Sequence, residues 1–195
     1  MDRDTELALV RRLREEDAGA FDAVHAEFNA RLFNFLARLT RRRHVAEDLL
    51  EETWLRLVAN ARRLTPDTRL GPWLFTVARN LHVSYCRSRM LEDSQAASLL
   101  ALWPFSPDRS SPFEETAANE LERRVEAAVA AMPATHREVL LLVAVEGLEP
   151  SEAAAVCGVT PEALRQRLSR ARAALARTLD EADRPGATIL SEVTP

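Results

Sequence analysis

The sequence contains no lysine, so all 26 of its basic residues are arginine. It also has only five glycines and two cysteines among 195 residues. So few glycines argue against the many tight turns of a β-sandwich or barrel, and they favour a helical class. The two cysteines, Cys86 and Cys157, are too few for the disulfide framework of a small secreted protein.

Long apolar runs are also missing. The first residues, MDRDTELALVRRLREED, are charged throughout and lack the apolar core of a signal peptide. No apolar run approaches the roughly 20 residues that a membrane span requires. We therefore expect a cytoplasmic protein. Hydrophobic residues nevertheless make up 47% of the chain, which is enough for a packed core and excludes wholesale disorder.

Apolar side chains recur at three- and four-residue steps through the first 90 residues, which is typical of amphipathic helices. The pattern predicts helices at about 5–16, 18–40 and 44–64, and a further helix from about residue 71. Four helices of this length predict a small helical bundle over residues 1–90. The apolar stripe expected for the 44–64 helix consists of Val45, Leu49, Leu50, Leu57, Val58 and Ala61.

The composition changes after this bundle. Residues 91–118 contain three prolines, are rich in serine and have no sustained amphipathic period, so we predict a flexible linker with a short helix near 96–102. Helical patterns return over 119–180 and predict a second small domain. Residues 181–195 lack a period and contain two prolines, which predicts a flexible tail.

Residues 150–175, PSEAAAVCGVTPEALRQRLSRARAAL, have the build of a helix-turn-helix. Ala154 is small where the two helices would cross, and Gly158 gives the backbone freedom that the turn requires. Thr160 suits the N-cap of the second helix, with Pro161 at its first position. The predicted buried stripe of that helix is Leu164, Leu168, Ala171 and Leu175.

This second helix concentrates positive charge. Between residues 162 and 177 five arginines accompany one glutamate, a local net charge of +4 in a chain whose total is −4. Arginine can pair with guanine edges and glutamine with adenine, while other arginines bind phosphates. The candidate DNA contacts are Arg165, Gln166, Arg167, Ser169, Arg170 and Arg172.

Four stretches together resemble the extracytoplasmic-function group of the bacterial sigma-70 family. They are GAFDAVHAEFNARLFNFLARL, VAEDLLEETWLRL, GPWLFTVARNL and ATHREVLLLVAVEGLEPSEAAAVCGVTPEALRQRLSRARAAL. Their order and spacing make the resemblance specific. It implies an all-α fold, with a region 2 helical bundle and a region 4 helix-turn-helix domain joined by the flexible linker.

The resemblance also implies partners. Core RNA polymerase would bind this chain through the clamp and the flap of its large subunits. The clamp would contact the AEDLL helix of this chain, where acidic residues surround apolar ones. The expected polymerase contacts are Glu47, Asp48, Leu49, Leu50, Glu51 and Trp54. On pattern alone, a solvated acidic face is an equal alternative for this stretch.

Promoter DNA is the second implied partner. The helix containing WLFTVARN resembles the part of the family that recognises and opens the minus-ten element, where aromatic rings stack on extruded bases and arginines bind the backbone. The expected contacts are Trp73, Thr76, Arg79, Asn80, Tyr85 and Arg87. Trp73 and Phe75 also fit core packing, which is the favoured interpretation for each. The helix-turn-helix would recognise the minus-thirty-five element.

We therefore predict a sigma factor that directs promoter-specific initiation and helps melt DNA, without catalytic activity, cofactor, metal or small-molecule substrate. His82 and Cys86 have ligand spacing but no further ligands nearby. An anti-sigma factor is a candidate further partner. The alternative is a stand-alone helix-turn-helix regulator whose N-terminal helical domain senses a partner or ligand.

Overall fold

The computed structural model describes residues 1–96 and 120–183. The secondary structure of these residues is helical throughout, with turns between the helices and no β-strand, and none of these helices is long and apolar enough to cross a membrane. The all-α prediction is confirmed. The α-helices are α1 Arg3–Arg14, α2 Ala18–Thr40, α3 Arg43–Asn60, α4 Leu70–Ala96, α5 Glu120–Ala131, α6 Ala134–Leu140, α7 Pro150–Cys157 and α8 Pro161–Asp183.

Local sequence signals explain where α2 begins and ends. The Asp17 side chain accepts hydrogen bonds from the backbone N–H groups of Gly19 and Ala20, at 2.8 and 3.3 Å, as an N-cap does. At the other end Arg41 adopts a left-handed conformation with φ 57°, which terminates the helix. The predicted helix over 18–40 is confirmed at both ends.

Helix α4 is longer than the sequence pattern predicts. It begins where the buried Glu6 carboxylate accepts a hydrogen bond from the backbone N–H of Leu70 at 2.7 Å. It continues to Ala96, six residues into the expected linker. The predicted helix near 96–102 and the predicted tail from 184 onward lie outside the described residues.

The first-half core surrounds α2, which packs against α1, α3 and α4. Phe35 and Phe75 are fully buried and meet edge to face, with ring centroids 5.2 Å apart. Core packing is therefore confirmed for Phe75. The prediction of a buried Val58 is wrong, because that side chain is 60% exposed on the outer face of α3.

The helix-turn-helix in the second half forms as predicted. Gly158 adopts φ 64°, and the Thr160 hydroxyl accepts a hydrogen bond from the N–H of Ala163 at 3.2 Å. Ala154 is buried where α7 meets its neighbours, and Leu164 is fully buried in α8. Between α6 and α7 a turn of π-helix, Leu141–Val145, ends at Glu146.

The two halves pack against each other, which the sequence pattern did not predict. Helix α4 lies against α7, and α2 contacts α6, so the described residues share one continuous hydrophobic core. Ion pairs described below cross the same boundary.

Candidate polymerase and DNA interfaces

An open apolar groove lies on the outer face of α3, beside α2. Its volume is about 330 Å³. The lining residues are Phe21, Glu47, Leu50, Glu51, Trp54, Leu55 and Val58. Four of the six residues expected to contact polymerase therefore line one groove.

The remaining two expected polymerase contacts occupy different positions. Asp48 is exposed on α3, next to the groove residue Glu47. Leu49 is buried in the core, at 9% exposure, because it lies on the face of α3 that packs inward. Leu49 therefore supports the helix from within, and the exposed apolar side chains of the groove belong to other residues.

Leu55 and Val58 supply that exposed apolar surface, at 56% and 60% exposure. The spacing of apolar residues gave no role to Leu55 and put Val58 on the inward-facing apolar stripe of α3. Leu55 follows Glu51 by four residues and Val58 follows it by seven, so both lie on the same helical face as the acids. Their helical spacing from the acidic residues was the signal from which their exposure could have been predicted.

Trp54 forms the floor of the groove. It is only 8% exposed, and its indole Nε1–H donates a hydrogen bond to Asn29 Oδ1 at 3.0 Å. The rings of Phe21 and His25 pack on it, with centroids 5.9 and 4.8 Å away. The indole is therefore held in one orientation before any partner arrives.

One face of α4 carries four of the six residues expected to contact the minus-ten element. Helical geometry places Trp73, Thr76, Asn80 and Arg87 within about one third of the circumference. Asn80 and Arg87 are exposed, whereas Trp73 and Thr76 are half-buried. The Thr76 hydroxyl donates to the Pro72 carbonyl at 2.7 Å, so its hydrogen is engaged within the helix.

Tyr85 lies on the opposite side of α4 from that face, and Arg79 lies on one of its flanks. Tyr85 follows the buried stripe of α4 and packs partly against the core. The Arg79 Nε donates to Glu138 Oε1 on α6 at 2.8 Å. The structure therefore separates these two from the other four expected contacts and pairs Arg79 with the second half of the chain.

His82 and Cys86 continue the flank that carries Arg79. Cys86 Sγ and His82 Nε2 are 3.4 Å apart. Burial lowers the pKa of His82, and the nearby charges of Arg137 and Arg79 lower it further. Among the residues that the structure describes, no three His, Cys, Asp or Glu side chains gather as a metal site would require.

Helix α8 presents most of its expected DNA contacts to solvent. Arg165, Gln166, Ser169, Arg170 and Arg172 are exposed, and Arg165 forms an ion pair with Glu162 at 2.8 Å. Arg167 is half-buried because it borders the inward stripe of Leu164 and Leu168. Five of the six side chains are thus accessible to a DNA groove.

Comparison of the chain with known proteins identifies the family to which it belongs. The Sigma-70 region 2 model matches residues 25–91, and the Sigma-70 region 4 model matches residues 122–175. The chain is 34% identical to RNA polymerase sigma factor CarQ of Myxococcus xanthus over 172 residues, 87% of this chain and 95% of CarQ. It is 36% identical to ECF RNA polymerase sigma factor EcfG of Rhodopseudomonas palustris strain TIE-1 over 134 residues, 69% of this chain and 71% of EcfG. The chain belongs to the extracytoplasmic-function sigma factors of the sigma-70 family.

Solved structures agree with the fold of this sigma factor. CnrH, in a complex with the cytosolic domain of CnrY, superposes with a TM-score of 0.67 at 23% identity, over 94% of this chain and all of CnrH. The sigma factor RpoE of Bartonella quintana, in a complex with the anti-sigma factor NepR, gives a TM-score of 0.62 at 26% identity, over 82% of this chain and 97% of RpoE.

Family membership confirms the predicted function. Sigma factors bind core RNA polymerase and promoter DNA, and this sigma factor directs promoter-specific initiation. Both regions match in one chain, so the stand-alone regulator is not favoured. Sigma factors are in general regulators of transcription and not catalysts.

Proposed function

We propose that the groove on α3 is the polymerase-docking surface of this sigma factor, that the exposed face of α4 contacts the minus-ten element, and that α8 contacts the minus-thirty-five element. The observation that carries the proposal is the groove itself, in which exposed apolar side chains, a fixed indole and acidic residues share one surface.

Physical chemistry supports polymerase as the occupant of this groove. Leu55 and Val58 expose apolar surface whose burial contributes roughly 25 cal/mol per Å². Glu47, Asp48 and Glu51 are exposed around them and would steer a basic partner surface towards the groove. An apolar centre with a charged rim is the usual anatomy of a protein–protein interface.

The DNA-binding part of the proposal divides the work between α4 and α8. On α4, Asn80 and Arg87 lie on the same face as the half-buried Trp73, about two and about four turns further along the helix. A hydrogen-bonding side chain, a cation and an aromatic ring therefore share one face. On α8, exposed arginines flank Gln166 and Ser169, a composition that suits a major groove. Region 2 would span 1–90 and region 4 would span 119–180, with 91–118 as the linker and 181–195 as the tail.

We also propose that the chain acts in the cytoplasm, where core polymerase transcribes, and that it acts without catalytic activity or a cofactor. An anti-sigma factor is a candidate regulator. RpoE of Bartonella quintana was solved in a complex with the anti-sigma factor NepR, and CnrH was solved in a complex with the cytosolic domain of CnrY.

Two substitutions test the docking surface. Leu55→Arg places a charge at the apolar centre, and Asp48→Arg reverses a charge at the rim. We expect each to weaken binding to core polymerase by roughly tenfold or more, because central interface residues typically contribute more than 1 kcal/mol. Fluorescence anisotropy of the labelled chain titrated with core polymerase measures the affinity.

Glu15→Arg is the matched control, because Glu15 is an exposed acid at the end of α1, outside the groove. We expect its affinity for core polymerase to equal that of the unaltered chain. Equal affinities for all three variants would contradict the assignment of the groove.

A further inference from the structure

The loop that leads into α4 is fixed by side chains of α1. This loop, residues 64–69, ends where α4 begins at Leu70, and the side chains of Leu64 and Leu70 are both buried. Between them every residue of the loop is exposed except Thr68, which is half-buried. The apolar core therefore holds the two ends of the loop, and polar contacts must fix the part between them.

Arg3 supplies those polar contacts from the first turn of α1. Its Nη2 donates to the Asp67 carbonyl oxygen at 2.7 Å, and its Nη1 donates to the Thr68 carbonyl oxygen at 3.4 Å. The same Nη1 donates to Glu6 Oε2 at 2.6 Å. One guanidinium therefore joins two consecutive carbonyl groups of the loop to a carboxylate on α1.

Glu6 caps α4 from a position 64 residues earlier in the sequence. The first N–H groups of a helix have no partner within it, and their cap usually comes from the residue just before the helix. Here that residue is Arg69, whose guanidinium has only donors. Glu6 takes its place, because Oε1 accepts from the Leu70 N–H at 2.7 Å while Oε2 lies 3.1 Å from Arg69 Nε. A carboxylate beside a helix N-terminus is also favoured by the helix dipole.

Helix α1 is a firm support for these two side chains. Leu9, Val10 and Leu13 are buried, and α1 packs against α2. The start of α1 has its own cap, since Asp2 Oδ1 accepts from the Thr5 N–H at 3.0 Å. The match to Sigma-70 region 2 begins at residue 25 and does not include α1. This helix therefore brings to the loop contacts that the family match does not describe.

The end of α4 that α1 fixes carries two of the expected minus-ten contacts. The Trp73 N–H donates to the Arg69 carbonyl oxygen at 3.0 Å, so the last residue of the loop accepts the first hydrogen bond of the helix. At 1.5 Å per residue, Trp73 and Thr76 lie about 5 and about 9 Å along α4 from Leu70. A shift of the loop therefore moves both side chains.

We propose that Arg3 and Glu6 are positioning residues for recognition of the minus-ten element. From α1 they fix the loop over 64–69 and the first turn of α4, and they thereby place Trp73 and Thr76 against promoter bases. Arg3 and Glu6 act through the backbone that they hold and not through contacts with DNA. The proposal rests on the contact between α4 and the minus-ten element proposed above.

Arg3→Gln tests the proposal in the full chain. The Arg3 side chain is 41% exposed, so water can reach the loop carbonyl groups that it leaves, and Arg69 still pairs with Glu6. Arg11→Gln is the matched control, because it makes the same change of charge at an exposed position about two turns further along α1. Hydrogen–deuterium exchange of the backbone amides over 65–73 measures how firmly the loop and the first turn of α4 are held.

Transcription with core polymerase measures recognition by the same variants. The templates carry one promoter mapped with the unaltered chain, randomised over six base pairs at minus ten, and a transcribed barcode identifies each template. We expect Arg3→Gln to speed amide exchange over 65–73 by about tenfold. We expect it to reduce the base preference at minus ten by about fivefold, the effect of weakening one base contact. Arg11→Gln should match the unaltered chain in both measurements.

A network that only stabilised the fold would give a different result. Transcription by Arg3→Gln would then fall on every template alike, and the base preference would stay unchanged. That result would overturn the proposal, and so would amide exchange equal to that of the control.

Glu6→Gln is the second variant, because it keeps the size of the side chain and an acceptor for the Leu70 N–H while it removes the charge that holds Arg3. It should reduce the base preference in the same direction, and a preference equal to that of the control would overturn the proposal. A preference that is absent already with the unaltered chain would contradict the minus-ten role of α4 and the proposal with it. A preference that all variants keep would overturn the positioning role alone.

Discussion

Burial raises the pKa of Glu146, although Arg31 opposes the shift by donating a hydrogen bond and by its charge. The folded chain therefore holds a proton at Glu146 more tightly than the unfolded chain does. The stabilisation from this group is complete at low pH and is lost as the pH rises through the raised pKa.

Glu146→Gln mimics the protonated side chain and tests this conclusion. We expect the stability of the variant relative to the unaltered chain, measured as the difference in their free energies of unfolding, to increase as the pH rises from about 4 to 7. Urea unfolding at several pH values measures it. A relative stability that stays constant, or that falls with pH, would contradict the argument.

The two cysteines differ in environment. Burial, with a smaller contribution from the Glu138 carboxylate, raises the pKa of Cys157 to about 12, while burial raises the pKa of the half-exposed Cys86. We expect the thiolate fraction of Cys157 at pH 8 to be about a thousandfold below that of an ordinary cysteine.

Peptide mapping after brief treatment of the native chain with iodoacetamide should therefore show modification at Cys86 well before Cys157. Both should react at similar rates in urea. Equal native rates would show that Cys157 is more accessible than the structure indicates.

Single side chains were predictable from the sequence where one local rule determined their place. Thr160, Gly158 and Ala154 each satisfy a requirement of the helix-turn-helix, and all three take the expected positions. Val58 was assigned wrongly and Leu49 proved to be buried, because α3 has apolar residues on nearly every face and helical spacing alone does not show which face packs inward.

At the scale of the element, α8 is an amphipathic helix whose polar face carries the positive charge. Arg165 begins its second turn and is exposed, so a base or phosphate near the helix N-terminus is within reach. We expect Arg165→Ala to weaken use of promoters that depend on the upstream element by about 1–3 kcal/mol, the usual contribution of a bidentate base contact. Competitive transcription on templates with and without that element measures the effect.

Arg177→Ala is the control for this prediction, because Arg177 is exposed on the same helix about three turns further along. It should leave promoter choice unchanged. Core polymerase affinity should also be unaltered in both variants, and an equal loss of core affinity in Arg165→Ala would contradict its assignment to DNA.

Helix limits were predictable where a cap or breaker marks them and not elsewhere. Asp17 caps α2, and Pro161 begins α8, so both starts match the prediction. Helix α4 extends further than expected because no glycine or proline occurs between Pro72 and Ala96, whereas the expected linker boundary was drawn from a change in polarity.

At the scale of the whole molecule, charge is divided between the two halves. The chain has a net charge of −4, yet exposed arginines gather on α8 and a line of arginines on α2 and α4 meets glutamates of the second half. The pairs that join the halves link residues 59 to 115 positions apart in sequence, so no local pattern could predict them. The sequence predicted two helical units and their family, and the structure adds how they contact each other.

This sigma factor is expected to bring polymerase to promoters that carry two separated elements. The most direct test transcribes fragmented genomic DNA with core polymerase, with and without the chain, and sequences the 5′ ends of the RNA. We predict new start sites that share one motif near minus ten and a second near minus thirty-five. The same start sites with and without the chain would contradict the account.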